Sequence, residues 1–353
     1  MPSKKHIFAS AALALAFFPV AFAGNFDARV QQFKNTIKPK TESGGEPAAS
    51  TGTITKIRFI PLWNPQAQFA GYYIALKKGF YRKHGLDVEM LTAGPQASSD
   101  SSLEQGKADI ALLWLSTALS MENRGVKLIN TGQIVQKSAL MLIAKKESGI
   151  RTIKDLSGRK ISIWPAFETQ PKTFFKRNNI TPQIIPQAHS VNMFLKGGVD
   201  AACGMWYNEY HTIINSGLDK DDLVTFFPAD YGVNFPEDGI YTKAEFFRKN
   251  RNAVCAFTKA SVEGWIYAFS HPEEAVQTTI TYMHRDKIPA DTPHQTWMIN
   301  AFKDVVMPQG SDAKIGVLDE KDYNSTAEAL KSSGLIKSYP KYKDFFKDCE
   351  NEN

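Results

Sequence analysis

The chain has 353 residues, 43% of them apolar, and a formal net charge of +6. That length admits one large domain or two ordinary ones, and the composition is ordinary for a globular protein. The charge is mild and no long Lys/Arg block concentrates it, which argues against nucleic acid as a partner.

Residues 1–23 read as a secretory signal peptide. Lys4, Lys5 and His6 make a basic start, Ile7 to Val20 is an apolar run short for a membrane span, and Ala21-Phe22-Ala23 is an A-x-A cleavage signal. Cleavage after Ala23 would leave Gly24 at the mature N-terminus in the periplasm, with no Cys there for lipid attachment. Later stretches are not long and apolar enough to predict a membrane span. Residues 24–53 are expected to form a polar leader, with a short helix near Ala28 to Lys34 and then a tether.

Lys56 to Glu89 reads as strand, loop, helix, turn and strand, a right-handed βαβ unit. Asn64-Pro65 breaks the first strand, Gln66 to Lys78 has helical spacing, and Gly79 and Gly85 punctuate the return. Ligands of open α/β sheets bind beyond the carboxyl ends of the strands. The loop Pro61 to Gln68 lies there and offers an aromatic platform, Trp63, with two amides, Asn64 and Gln68. Neither nucleophile nor base stands among them, so the loop suits holding a small polar or planar molecule.

Gly94 allows close backbone approach after the second strand, and Ser98 opens a helix to Gln105 as a cap or a ligand donor. Ala108 to Trp114 is a buried strand, with Trp114 at its carboxyl end and Ser116 as cap or donor of the next helix. Strands are expected at Val126 to Gln133 and Ala139 to Lys145, the latter running toward a crossing between lobes. A second α/β series starts near Thr152. Its strand Lys160 to Trp164 leads through Thr169 into a helix ending at Arg177, and Gln183 to Pro186 and Val199 to Met205 follow as strands.

Gly106-Lys107-Ala108-Asp109 matches Gly197-Gly198-Val199-Asp200, each followed by small apolar residues and an aromatic. The second copy opens a helix through Tyr207, Asn208 and Glu209. After a strand near Val224 to Phe227, Asp230 and Tyr231 precede a turn acid, Asp238, and from Lys243 the chain is mainly helical. Two similar series predict a two-lobed α/β clamp, with residues 54–145 and 237–353 in one lobe and 146–236 in the other. Cys203 is expected as a buried thiol, Cys255 and Cys349 have the option of pairing in an oxidising compartment, and no cysteine has zinc-site spacing. The histidines show no ligand spacing, and His189 and His211 are expected at the surface or as caps.

Several segments resemble the periplasmic substrate-binding proteins of ABC importers, in the branch carrying nitrate, alkanesulfonates, riboflavin and thiamin pyrimidine precursors. They are Gln68-Phe69-Ala70-Gly71-Tyr72-Tyr73-Ile74-Ala75, Lys78-Gly79-Phe80-Tyr81, Gly85-Leu86-Asp87-Val88, Gly106-Lys107-Ala108-Asp109, Asp155 to Ile161, Val199-Asp200-Ala201-Ala202 and Asp230-Tyr231-Gly232. The resemblance implies a type II periplasmic-binding-protein fold, α/β in two lobes, with a ligand cleft between them and a helical C-terminal part. It also implies a small-molecule ligand, a permease partner in the inner membrane, a monomeric receptor and no cofactor or metal. Trp63, Asn64, Gln68, Tyr72, Gly94, Ser98, Trp114, Ser116, Trp164, Thr169, Tyr207, Asn208, Glu209, Asp230, Tyr231 and Asp238 become the candidate ligand residues. Glu209 suits a ring amine, because a carboxylate accepts hydrogen bonds. A sulfonate or nitrate site would favour Arg, Lys and N–H groups. The same fold serves a pyrimidine synthase that uses a pyridoxal cofactor and iron, with a His in the opening loop and clustered cysteines. This chain has no His between Lys56 and Tyr81, and its cysteines are scattered. The reading is therefore a binding protein for a nitrogen heterocycle, not an enzyme.

Overall fold

The computed structural model describes residues 54–94, 96–307 and 314–349. The expected signal peptide and the whole of the leader, including its helix near Ala28 to Lys34, lie outside them. Ten strands alternate with helices: β1 Thr55–Ile60, β2 Leu86–Met90, β3 Ile110–Leu113, β4 Leu128–Gln133, β5 Leu140–Lys145, β6 Lys160–Ile163, β7 Gln183–Pro186, β8 Ala201–Met205, β9 Leu223–Phe226 and β10 Gly239–Lys243. They form two five-stranded sheets of the same design, ordered β2-β1-β3-β10-β4 and β7-β6-β8-β5-β9. In each, three parallel strands are followed by one strand antiparallel to both its neighbours.

The repeat legible in the sequence explains why the sheets match. Gly106 and Gly197 each turn the chain with positive φ, +71° and +73°, a conformation that glycine adopts without steric cost. The Asp three residues on then clamps the first strand of its own sheet. Asp109 N donates to the Arg58 carbonyl at 2.9 Å while Asp109 Oδ2 accepts from Arg58 N at 2.9 Å. Asp200 does the same to Lys160, at 2.8 Å in both directions. Each third strand thereby enters its ladder in register. The central strands β3 and β8 are buried throughout, as strands covered on both faces must be.

Each antiparallel strand arrives from the other lobe. The chain passes from β4 to β5 through residues 134–139, and returns from β9 to β10 through residues 227–238. Leu140–Lys145, grouped by sequence with the first lobe, therefore pairs in the second sheet, with β8 and β9. Its apolar residues fit the centre of either sheet, and only the pairing decides. Glu237, fully buried, fastens the two crossings to each other: one carboxyl oxygen accepts from Ser138 Oγ at 2.7 Å and from Ala139 N at 2.9 Å.

Helices cover the sheets. Among those that position the cleft, α1 is Ala70–Lys77, α2 Glu209–Asn215, α3 Ala244–Ser270, α4 Pro272–Arg285 and α5 Thr292–Val306. The helix expected from Gln66 begins instead as a 3₁₀ turn, Ala67–Phe69, and Ala67 N finds its acceptor in Gln295 Oε1 of α5 at 2.7 Å. α1 crosses α3 at two glycines. A Cβ on Gly264 would stand 2.2 Å from the Gly71 carbonyl oxygen, and one on Gly71 would stand 2.3 Å from the buried Trp265 ring. Cys255 of α3 is disulfide-bonded to Cys349, tying the long helix to the C-terminal segment, and Cys203 is a buried free thiol. Among the described residues no helix is long and apolar enough to cross a membrane.

Gly264→Ala should force the two helix backbones apart and lower unfolding free energy by about 1–3 kcal/mol. Urea denaturation would check this, and wild-type stability would show that the crossing has slack.

Candidate ligand cleft

The parallel strands of both sheets aim their carboxyl ends at one cavity of about 290 Å³. Loops after those ends supply most of its wall, as strand topology requires. From the first sheet come Trp63, Asn64 and Gln68 after β1, and Trp114 after β3. The second sheet adds Trp164 and Phe167 after β6, His189 after β7, and Tyr207, Asn208 and Glu209 after β8. The C-terminal helices close the side with Met283 of α4 and with His294 and Gln295 of α5.

Rings dominate one wall. Phe167 lies 4.5 Å from Trp114, 6.1 Å from Trp63 and 6.4 Å from Trp164 between ring centroids, so one second-lobe ring meets two rings of the first lobe. His189 stands 5.3 Å from Trp63. Trp164 is held by its indole N–H, which donates to the Ala188 carbonyl at 3.2 Å.

Behind this wall sits Asp238, 2% exposed. Gln68 Nε2 donates to one of its oxygens at 2.6 Å and Trp114 Nε1 to the other at 3.2 Å. Asp238 thus orients two cleft residues without lining the cavity. Burial pushes its carboxyl up to about 6, against the pull of those two donors.

Glu209 lines the cavity at the start of α2. Its Oε2 accepts from Met205 N at 2.9 Å and its Oε1 from Asn208 Nδ2 at 2.9 Å. Burial raises its carboxyl to about 7 although the Met205 amide pulls the other way. A carboxyl raised this far can donate once protonated as well as accept, which widens the role read from sequence. Glu237 lies outside the cavity. Its second oxygen has no hydrogen-bond partner, and burial, helped by the charge of Asp238, raises it to about 8.

The structure brings Trp63, Asn64, Gln68, Trp114, Trp164, Tyr207, Asn208 and Glu209 to the cavity. Besides Asp238, seven other candidates stand away from it. Tyr72 faces the core, 5.0 Å from Phe59 and 5.8 Å from Trp265, because that face of α1 packs on α3. Gly94 approaches Asn64, whose Oδ1 would lie 2.2 Å from a Cβ there, so it seats a cleft residue from behind. Ser98 and Thr169 mark exposed or half-buried helix starts, Thr169 lending its carbonyl to Thr173 Oγ1. Ser116 is buried within its helix rather than capping it. Asp230 pairs at 3.7 Å with Lys137 with 59% of its side chain exposed, and Tyr231 is exposed beside Phe174. Sequence reasoning missed Phe167, His294 and Gln295, and His189 is exposed as expected while also lining the cavity. Only the aromatic Trp164-Pro165-Ala166-Phe167 run, at a strand end, carried any signal for these.

The family model described as NMT1/THI5 like matches residues 66–275. The chain belongs to the NMT1/THI5-like family. It is similar to a Haemophilus influenzae protein named for thiamine biosynthesis, 24% identical over 84% of this chain and 92% of that one. A formylaminopyrimidine-binding protein of Halalkalibacterium halodurans is 20% identical over 64% of this chain and 70% of its own. A Schizosaccharomyces pombe protein named 4-amino-5-hydroxymethyl-2-methylpyrimidine phosphate synthase is 22% identical over 66% and 70%. The NMT1/THI5-like chain also shares its fold with solved structures. The alkanesulfonate-binding protein SsuA of Xanthomonas axonopodis pv. citri has TM-score 0.62 and 13% identity, over 84% of this chain and all of that one. A Candida albicans gene product described as having the generic periplasmic binding protein fold has TM-score 0.58 and 15% identity, over 84% and 96%. The fold is therefore the bilobed periplasmic-binding-protein fold.

Asp238, Glu209 and Glu237 all have folded-state values above those of an unfolded chain. Each stabilises the fold below about pH 4 and withdraws that stability as pH rises through 6 to 8. Ligand-free protein should therefore unfold at lower urea at pH 8.5 than at pH 5, and Glu237→Gln should flatten that slope. An unchanged slope in the variant would show that Glu237 is not among the groups responsible.

Proposed function

We propose that this protein is the exported substrate-binding component of an importer, closing its lobes on a small, flat nitrogen heterocycle of the pyrimidine type and presenting it to an inner-membrane permease. The observation that carries this is the cavity's lining: tryptophan and phenylalanine faces for a planar ring, with amides and the Glu209 carboxyl for its ring nitrogens and amino groups. No lysine or arginine lines it among the described residues. An anionic sulfonate or nitrate would leave its charge without a cation partner, which costs far more than a neutral ring does. The sulfonate-binding structures share the fold, and the fold does not carry the ligand.

The cavity's volume, about 290 Å³, is at the small end for ligand sites. That favours a single substituted ring over a tricyclic flavin. The pyrimidine in the names of two relatives supports the same choice. The synthase reading fares less well. A pyridoxal cofactor is held by a lysine Schiff base, and the described lining offers no lysine, so these residues do not fit that group. Export to the periplasm takes support from the signal-peptide pattern and from the Cys255–Cys349 disulfide, since such bonds persist in oxidising compartments.

Titration calorimetry of the mature protein with formylaminopyrimidine, riboflavin, an alkanesulfonate and nitrate tests the reading. The pyrimidine should bind most tightly. Trp63→Ala and Glu209→Gln should each weaken it by about 1–3 kcal/mol while thermal stability stays near wild type. Preferential binding of the sulfonate or nitrate would overturn the reading.

A further inference from the structure

Glu209 is one end of a line of side chains that leaves the cleft and crosses between lobes. Asn208 Nδ2 donates to Glu209 Oε1 at 2.9 Å, and Asn208 Oδ1 lies 2.9 Å from His294 Nε2. His294 Nδ1 lies 2.8 Å from Nδ1 of His211. Asn208, Glu209 and His211 follow the second sheet's β8, with Glu209 and His211 on α2, whereas His294 sits on α5, which packs beside α4 and the 3₁₀ turn of the first lobe. The two imidazoles therefore join the lobes at the cavity's edge.

We propose that His294 and His211 form a proton-sensitive clasp between the lobes, and that the clasp positions Asn208 and through it Glu209. The proposal rests on the binding reading above for the role of Glu209, but the clasp itself does not require any particular ligand.

The donor and acceptor order is fixed from one end. Asn208 gives its amide N–H to Glu209, so its oxygen must accept, and His294 Nε2 must carry a proton. A neutral His294 then has a bare Nδ1, which accepts from His211 Nδ1–H. Asn215, whose amide lies 3.2 Å from that same His211 nitrogen, can meet it with its oxygen after an amide flip. One added proton is tolerated, since His294 can become the donor and His211 the acceptor. A second puts two N–H groups and two charges 2.8 Å apart, and the contact must open.

The surroundings set where that happens. Burial holds both imidazoles below the ordinary histidine value, and the neighbouring His lowers His294 further. Lys220 lowers His211, while Asp291, at the start of α5, pulls both upward. Trp297 of α5 stacks on His211 at 4.6 Å and 10°, with Lys220 Nζ 5.9 Å from the indole centroid. The closed form thus binds fewer protons than an open form with solvated imidazoles. Closure is favoured above the ordinary histidine value near 6.5 and is lost progressively as pH falls below it.

Interlobe distance, read without ligand, tests the clasp. Spin labels on Lys107→Cys and Lys196→Cys, exposed positions beside the matching Gly106 and Gly197 turns of the two lobes, would be followed by pulsed electron resonance at about pH 7.5 and 5.0. The full-length mature protein should show mainly one distance at the higher pH and a several-fold larger second population at the lower. His211→Phe keeps a ring on Trp297 but cannot bond or titrate, and should show the second population at both pH values. His211→Gln serves as a second variant should the first misfold. One unchanged wild-type distance at both pH values, or a wild-type pH response surviving in the His211 variant, overturns the proposal. With formylaminopyrimidine as probe, His294→Phe should weaken binding about tenfold. If no pyrimidine binds, the distances still decide the clasp, so failure of the ligand reading and failure of the clasp are separable.

Discussion

The structure depends on two adjacent buried acids at the point where the chain returns to its first sheet. Glu237 holds Ser138 and Ala139 on the outgoing crossing, and Asp238 holds Gln68 and Trp114 on the cleft's first wall. Gln133 adds a donor to the Glu237 carbonyl, and Gln170 bonds Ser138 from the second lobe. The junction between lobes and the ligand-facing side chains are thus one hydrogen-bonded unit. Burying two carboxyls side by side is expensive, and the cost explains why both are raised. A ligand that satisfied Gln68 and Trp114 from the front would act on a wall already braced from behind.

The symmetry of the two sheets makes the cleft possible. The same Gly-x-x-Asp entry in each lobe puts a third parallel strand beside the first and leaves the carboxyl ends facing one another. Loop residues at those ends then share one space. Symmetry is partial in the chemistry: both lobes contribute indoles and amides, and the second adds the Glu209 carboxyl, the Tyr207 phenol and Phe167. The helix α5 lies outside the repeat and closes the cavity with His294 and Gln295, while Phe302 of the same helix packs edge-on at 5.2 Å to Tyr207.

Much of this was legible in the residues themselves. Alternation of apolar runs with glycine turns marks the strands, so β6, β7 and β8 fall within a residue or two of where the pattern puts them. Aromatic residues at strand ends, Trp63, Trp114 and Trp164, identify the wall for the same reason. What the sequence hid depends on contacts between distant segments. Leu140–Lys145 has no mark that assigns it to one sheet. Tyr72 lies four residues after the cleft residue Gln68, yet its face turns to Trp265 across a glycine crossing that spacing does not reveal. His294 lies 86 residues from Asn208, and nothing local marks Glu237 as the residue that reaches partners on the other crossing.

The central claim is a place: a planar ring against the Trp63, Trp114 and Trp164 faces, with its nitrogens on Glu209. A crystal structure of the protein grown with 4-amino-5-hydroxymethyl-2-methylpyrimidine would test it most directly. The account predicts the ring among those indoles, with a ring nitrogen or amino group within hydrogen-bond distance of a Glu209 oxygen. Density for the pyrimidine elsewhere, or a bound ring that leaves Glu209 untouched, would contradict it.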